Sequence, residues 1–471
     1  MRPDEFRRRA HQLVDWMADY FQNVGELPIT PDVHPGDIMR VLPEAAPDDA
    51  ESFDRIWEDF QQLILPGMTH WNHPGWFAYF PANNSPPSVL AEMVTATLGA
   101  QCMSWATSPA ATELEQITMT WLRQMLGLPE GFTGVIQDTA STATLVALLS
   151  ARQRYQSEPG DESSGRLTVY ASTEAHSSVE KAVKLSGIGL EQFRRIAVDD
   201  EYAMRADLLA QAIQRDLGNG YRPACVVATA GTTSSTAIDP LSAVAEICDG
   251  RKVWLHVDAA YAGAAAIVPE LRPLFAGIER ADSIVFNPHK WMLVNFDCSA
   301  YFVRDTQALL RTFQITPEYL RTSQDAEVVN YRDWGIQLGR RFRALKLWFV
   351  IRQYGVNGLR DMIRHHVGLA HQLAGWIRET PGFEVVAPVR FGLVCFRYCP
   401  RAAAGLDSER LNDLNRRVLA RVNAGRKVFL THTMLGGNHV LRMAIGQRLT
   451  MRSHVELAWD LIQEAASSET A

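Results

Sequence analysis

The chain has 471 residues, 47% hydrophobic and 21% charged, with a formal net charge of −7. That length and apolar content suffice for a large core, and the loose rule of ~150 residues per domain suggests about three domains. Charges of both signs are spread along the chain, so no basic stripe points to nucleic acid and no polybasic block points to a membrane surface.

The opening MRPDEFRRRAHQL is charged and lacks the apolar centre of a signal peptide. No apolar run approaches the ~20 residues that span a bilayer. Phe6, Ala10, Leu13, Val14, Met17, Phe21 and Val24 recur at helical spacing, which predicts an amphipathic helix. Prolines at 28, 31, 35, 43 and 47 then predict an extended segment, either an exposed linker or an arm laid over a partner subunit. Ser52 to Leu65 reads as a second helix.

From Pro86 to about Trp348 the pattern changes. Short apolar runs at Leu167–Tyr170, Cys225–Ala228, Val253–Val257 and Ser283–Phe286 predict strands. Between them, Ser177–Leu185 and Arg205–Leu217 predict helices. This alternation means βαβ units and a mostly parallel sheet, hence an α/β fold. QSEPGDESSG, from Gln156 to Gly165, reads as a surface loop. The remainder mixes helices with strands such as Gly392–Arg397 and His439–Ile445 and reads as α+β. The expected organisation is a helical arm over 1–85, a large α/β domain over 86–348 and a small α+β domain over 349–471. Cys102, Cys225, Cys248, Cys298, Cys395 and Cys399 are scattered, without a histidine cluster at zinc-ligand spacing, so a reduced, cytoplasmic, metal-free protein is expected.

In open α/β sheets ligands sit beyond the carboxyl ends of the strands. There the sequence places Asp258, then Asn287, His289 and Lys290 within SIVFNPHKWMLVNF, and His176, Thr229 and AGTTSS after the other strands. Lysine resists losing water, so Lys290 between apolar runs either snorkels to solvent or uses its amine in a dry pocket. A lysine and an aspartate aimed at one pocket suit pyridoxal phosphate. Burial favours the neutral amine that attacks its aldehyde, and a carboxylate keeps its pyridine nitrogen protonated. Thr139, Ala140 and Ser141, ahead of an apolar helical run, form a candidate phosphate cradle at a helix N-terminus. Each of these residues also has an ordinary structural reading: a cap, a turn or a local hydrogen bond.

At these residues the chain resembles the pyridoxal-phosphate-dependent aromatic-L-amino-acid decarboxylases (group II decarboxylases), over nearly its whole length. The resemblance is carried by HWNHPGWFAYFPANNS (His70–Ser85), SWATSPAATELE (Ser104–Glu115), AHSSVEKA (Ala175–Ala182), HVDAAYAG (His256–Gly263), FNPHKW (Phe286–Trp291), NFDCSA (Asn295–Ala300) and LGRRFRALKLWF (Leu338–Phe349). It implies a fold-type I enzyme in which Lys290 binds the cofactor covalently, Asp258 partners the pyridinium nitrogen, and His176 stacks on the ring and orients the substrate carboxylate. It also implies phosphate ligands at Thr139, Ala140, Ser141 and Asn287, site-lining roles for Thr233 and His289, and Leu338 and Gly339 reaching the phosphate from the other subunit. Trp71, Tyr79, Phe80 and Pro81 resemble the pocket for the aromatic ring, and Met103 a wall given by the neighbour, so a homodimer with shared active sites is implied.

Tyr319, in FQITPEYLRTSQDAEV, matches the loop tyrosine that delivers a proton to Cα after CO2 departs. Relatives with phenylalanine there tend toward aldehydes. The implied activity is decarboxylation of tryptophan, 5-hydroxytryptophan, phenylalanine, tyrosine or DOPA to arylalkylamines. An aromatic aldehyde synthase is the alternative, opposed by Tyr319 and His176. Ala82 stands where catechol-using relatives often carry a hydroxyl, and Gly339 where serine accompanies phenolic substrates. Both favour indole or phenyl side chains. A decarboxylase for acidic amino acids would need a cation in the pocket, and a non-catalytic scaffold would have no reason to keep Lys290, Asp258 and Tyr319.

Overall fold

Short apolar runs buried on both faces can satisfy their backbone groups only by pairing with one another. The computed structural model describes residues 1–156, 166–315, 317–320, 323–325, 327–400 and 407–469, and in it these runs form two sheets. The larger holds β1 (Thr133–Gln137), β2 (Leu167–Ser172), β3 (Phe193–Ile196), β4 (Arg222–Thr229), β5 (Trp254–Asp258), β6 (Ser283–Phe286) and β7 (Ser299–Val303). Their order is β1-β7-β6-β5-β4-β2-β3. Neighbours from β6 to β3 pair in parallel, while β7 runs antiparallel to both β6 and β1. The architecture is the expected mostly parallel α/β sheet flanked by helices. Alternate residues of one strand feed opposite layers: Val226 and Ala228 pack on one side, Cys225 and Val227 on the other. The sequence reading did not single out β1, β3 and β7. The first and last are five residues each and almost wholly buried, so no alternation marks them.

The N-terminal helix spans Pro3–Asn23, with proline in the first turn, where a missing N–H costs nothing. The segment expected to be extended contains a short helix, Asp37–Val41, entered through Gly36 at φ 94°. No proline lies between 35 and 43, so nothing there blocks one helical turn. In the second predicted helix the Ser52 hydroxyl accepts from the Arg55 N–H at 3.2 Å. Only Phe53–Asp59 is α-helical. A π turn over Phe60–Ile64 and a 3-10 turn over Leu65–Gly67 follow, the latter at Pro66, which cannot donate. Beyond Gln156, the expected surface loop lies outside the described residues.

The smaller sheet is antiparallel throughout. It contains β8 (Phe383–Val385), β9 (Leu393–Tyr398), β10 (Thr431–Leu435) and β11 (Asn438–Ala444), in the order β10-β11-β9-β8. The boundary expected after Trp348 falls inside one long helix, Arg343–Glu379, interrupted at Gly355 by a φ of 66°. Its start packs on the helices Pro86–Leu98 and Pro109–Leu126, and its end joins the core of the small sheet. The basic motif that opens it works as a set of fasteners. Arg340 donates to Glu115 at 2.7 Å, Arg343 to Asp297 at 2.8 Å and Lys346 to Glu92 at 2.8 Å. Asp297 sits on the loop that follows Lys290, so the Arg343 pair anchors that loop. Among the described residues no helix is long and apolar enough to cross a membrane.

Candidate active site

Parallel strands deliver their last residues to one edge of the sheet, and there β2, β4, β5 and β6 meet. The turn after β2 carries His176, β4 ends on Thr229, β5 ends on Asp258, and β6 leads into Asn287 and Lys290. All five line one cavity of about 160 Å³, together with Thr139, Ala140 and Ser141.

Asp258 is buried and accepts the Ala260 N–H at 3.0 Å. Lys290 lies in a one-turn helix, Pro288–Trp291, forced by Pro288 at its start. Burial pushes the Lys290 amine below its ordinary range, with Asp258 opposing the shift. The Lys290 Nζ lies 5.6 Å from the centre of the Phe80 ring. His176 caps the helix Ser177–Leu185: its Nδ1 accepts the Ser178 N–H at 3.2 Å, which puts the proton of the neutral ring on Nε2. Burial lowers its pKa, Asp258 opposes this and Lys290 adds to it. His289 uses Nδ1 in the same way, accepting from the Cys298 N–H at 2.9 Å, and burial lowers its pKa to about 4.

The helix Ala140–Gln156 points its first turn at this cavity. The N–H groups of that turn have no intrahelical acceptor. Asn287 accepts from the Ser299 hydroxyl through Oδ1, which leaves its NH2 group as the donor end. Asp138 accepts the Thr139 N–H at 2.6 Å and the Gln337 amide at 2.8 Å. Burial would raise its pKa, but the hydrogen bonds from Thr142, Thr139 and Gln337 outweigh it and keep the carboxyl low.

Phe80, His176, Thr233 and Lys290 also line a second, outer cleft of about 680 Å³. Its walls are aromatic: Trp71 stacks on Tyr79 at 5.6 Å, and Pro81 and Ala82 lie beside them. Arg442 enters from β11 and is 3% exposed. It donates to Thr233 O at 2.6 Å, Thr431 Oγ1 at 2.9 Å, Ser234 O at 3.0 Å and, at 3.5 Å, Tyr79 O, while its guanidinium lies 5.4 Å from the Phe80 centroid. Every one of these acceptors is uncharged. Among the described residues no carboxylate pairs with Arg442, and burial lowers its pKa.

Comparison with known proteins decides the family. The pyridoxal-dependent decarboxylase conserved domain matches residues 35–399. The chain belongs to that family. It is 44% identical over 477 residues to a phenylacetaldehyde synthase of Arabidopsis thaliana, covering 99% of this chain and 97% of that one. It is 45% identical over 485 residues to an aromatic-L-amino-acid decarboxylase of Sus scrofa, again covering 99% and 97%. The crystal structure of Oryza sativa TDC with PLP and tryptamine superposes with a TM-score of 0.96 at 38% identity, over 99% of each chain. The fold is accordingly fold-type I, and the protein is a carboxy-lyase that uses pyridoxal phosphate.

This decarboxylase has a cavity suited to that cofactor. Among the described residues the buried Thr229 hydroxyl has no hydrogen-bond partner, which leaves it open to a ligand's polar atom. Gly231, at φ 94°, brings bare backbone to the cavity wall; an added Cβ would lie 2.5 Å from that of Ala262. A lysine, a carboxylate and a helix N-terminus around one small cavity match the aldehyde, pyridine nitrogen and phosphate of a single molecule.

Of the residues predicted from sequence, the cavity and cleft gather Lys290, Asp258, His176, Thr139, Ala140, Ser141, Asn287, Thr233 and His289, and with them Trp71, Tyr79, Phe80, Pro81 and Ala82. Met103, Leu338 and Gly339 line neither, and Leu338 and Gly339 are exposed. The backbone of Tyr319 lies in the short helix Glu318–Leu320, and its side chain is outside the described part. Sequence reasoning missed Arg442. The signal was available as an arginine inside an apolar strand, HVLRMAI, although pairing with the site needs the small sheet's position.

Proposed function

We propose that this decarboxylase converts aromatic L-amino acids to arylalkylamines and CO2. One observation carries the reading: Lys290, Asp258 and the N-terminus of Ala140–Gln156 share an inner cavity whose mouth opens into an aromatic cleft. Bound pyridoxal phosphate supplies a sink for the electron pair left when the bond from Cα to the carboxylate breaks. Asp258 would hold a proton on its pyridine nitrogen, and Thr139, Ala140, Ser141 and Asn287 would hold its phosphate. Lys290, with its pKa lowered by burial, would supply a neutral amine to the cofactor's aldehyde.

The remaining residues orient the substrate. The unpaired charge of Arg442 suits the substrate carboxylate, and the Nε2–H of His176 is a second donor at the junction of cavity and cleft. Trp71, Tyr79, Phe80 and Pro81 take the ring. Ala82 offers it no hydroxyl, which favours tryptophan, 5-hydroxytryptophan or phenylalanine over strict use of DOPA. Tyr319 is the proton donor to Cα. A homodimer completes the site, with Met103, Leu338 and Gly339 serving the neighbour's cavities. Exposed apolar side chains at the cleft mouth (Trp71, Tyr79, Phe296) and on Pro86–Leu98 (Leu90, Val94, Leu98) support a partner surface. The six free cysteines suit a reducing, cytoplasmic setting.

The resemblance to a phenylacetaldehyde synthase favours one second reading, aldehyde formation on the same scaffold. A single assay separates the two. The holoenzyme is given tryptophan, 5-hydroxytryptophan, phenylalanine, tyrosine, DOPA, histidine and glutamate, and amine, aldehyde, CO2 and peroxide are quantified. Amine and CO2 in equal amounts, abolished in Lys290→Ala, support decarboxylation. Aldehyde with peroxide supports the second reading. No product from any aromatic substrate refutes both.

A further inference from the structure

Asn83 follows Pro81 and Ala82 in the stretch PANNS and has no role assigned above. It is 1% exposed. Its NH2 group donates to the carbonyl of Lys290 at 2.9 Å and to the carbonyl of Gly446 at 2.7 Å, and its Oδ1 accepts the N–H of Arg448 at 3.0 Å. Both donors and one acceptor site of a buried amide are thus committed to three backbone groups. One of these belongs to the lysine that does the chemistry.

The Lys290 carbonyl ends a one-turn helix, Pro288–Trp291, where a last-turn carbonyl lacks an intrahelical donor. Asn83 supplies that donor from another part of the chain. The same side chain follows Pro81 and Ala82, which line the outer cleft, and its other two bonds reach the segment just after β11, which carries Arg442. No slack exists among these pieces: a Cβ on Gly446 would lie 2.8 Å from the Pro81 ring and 3.6 Å from the Trp291 indole nitrogen. The neighbouring Ser85 hydroxyl ties down the Leu293 carbonyl at 2.8 Å, extending the restraint along the loop after the lysine.

We propose that Asn83 is a positioning residue that caps the Lys290 turn and sets the lysine's place between the cofactor cavity and the aromatic wall. This rests on Lys290 being the residue that captures the cofactor. In that step a C=N bond forms between Nζ and the pyridoxal phosphate aldehyde, and one water leaves. Without the Asn83 amide, the Lys290 and Gly446 carbonyls and the Arg448 N–H lose their partner together, and the turn is released. The cradle at Thr139–Ser141 and the carboxylate of Asp258 belong to other elements and keep their places. The proposal therefore separates covalent capture from non-covalent affinity.

The test uses full-length apoprotein and pyridoxal phosphate itself. Samples are reduced with borohydride at timed intervals, and labelling of the Lys290 peptide is followed by mass spectrometry. Non-covalent affinity is measured separately in a Lys290→Ala background. Asn83→Leu is expected to slow labelling roughly tenfold, as befits buried carbonyls left unsatisfied, without changing the non-covalent affinity. Ile462→Ala, in a fully buried position of the helix Arg452–Ser468, is the control for lost stability and should label at the wild-type rate. Asn83→Asp keeps one O–H donor when neutral, and should fall between wild type and leucine even if the leucine variant fails to fold. Labelling at the wild-type rate in both Asn83 variants would overturn the proposal. So would a slowing matched by Ile462→Ala, or a parallel loss of non-covalent affinity. A wild-type protein that does not label at Lys290 would instead refute the underlying assignment of the lysine.

Discussion

His366 offers a quantitative test of how the site is supported from behind. Its Nδ1 accepts the indole N–H of Trp291, the residue after Lys290, at 3.0 Å, and its Nε2 pairs with the Gln447 carbonyl at 3.1 Å. Protonation at Nδ1 would set two N–H groups against each other. Burial first, and then the neighbouring His365, lowers its pKa from the ordinary 6.5 to about 3. The folded-state value is depressed, so the unfolded chain takes up the proton first and stability is lost as pH falls from 6.5 toward 3. At pH 5 this one group destabilises the fold by about 2 kcal/mol relative to pH 8, from RT ln(1 + 10^1.5). His366→Gln can keep both hydrogen bonds, one through its carbonyl and one through its NH2, and cannot titrate. Urea unfolding of both holoenzymes at pH 8 and pH 5 isolates the effect, because pH-dependent cofactor binding is common to the two. The variant is expected to gain about 2 kcal/mol on wild type between pH 8 and pH 5. A difference that is the same at both pH values would refute the reasoning.

Three further outcomes follow from the site. Arg442→Gln removes a buried charge that faces the proposed carboxylate position, and a hydrogen bond to a charged group is worth about 1.5–3 kcal/mol, so KM should rise about 10- to 100-fold. The carboxylate is bound before and during bond cleavage, so kcat should fall less; a kcat-only effect would sink the carboxylate role. Gly231→Ala places a side chain at φ 94° and 2.5 Å from Ala262 Cβ. It should cost about 1–3 kcal/mol in urea unfolding and weaken pyridoxal phosphate in a spectrophotometric titration. Tyr319→Phe should lower amine formation by roughly 10²-fold or more, the usual worth of a placed proton donor, with aldehyde and peroxide rising in its place. An unchanged amine yield would remove Tyr319 from the mechanism.

Much of the site was legible along the chain because its chemistry is local to strand ends. A carboxylate closing β5 and a lysine one turn past β6 are read directly from HVDAAYAG and FNPHKW, since parallel strands carry such residues to one edge. Short strands buried on both faces were harder. β1 and β7 carry no alternation, and the antiparallel insertion of β7 between β1 and β6 leaves no trace in periodicity. The helix at Asp37–Val41 escaped for the opposite reason: proline counts describe a segment and miss the gap between two prolines.

What the sequence by itself determined is the inventory and order of reactive groups: a lysine, an aspartate, a histidine cap and a hydroxyl-rich helix start, each placed by neighbours within a few residues. Only the tertiary structure decided which distant groups complete them. Arg442 comes from the small sheet, Asn83 from the segment before Pro86–Leu98, and His366 from the long helix Arg343–Glu379. Each of the three is buried, and its hydrogen bonds reach backbone or side-chain groups far away along the chain. A buried polar side chain must find partners wherever packing places them, and packing is a property of the whole chain that no local pattern encodes.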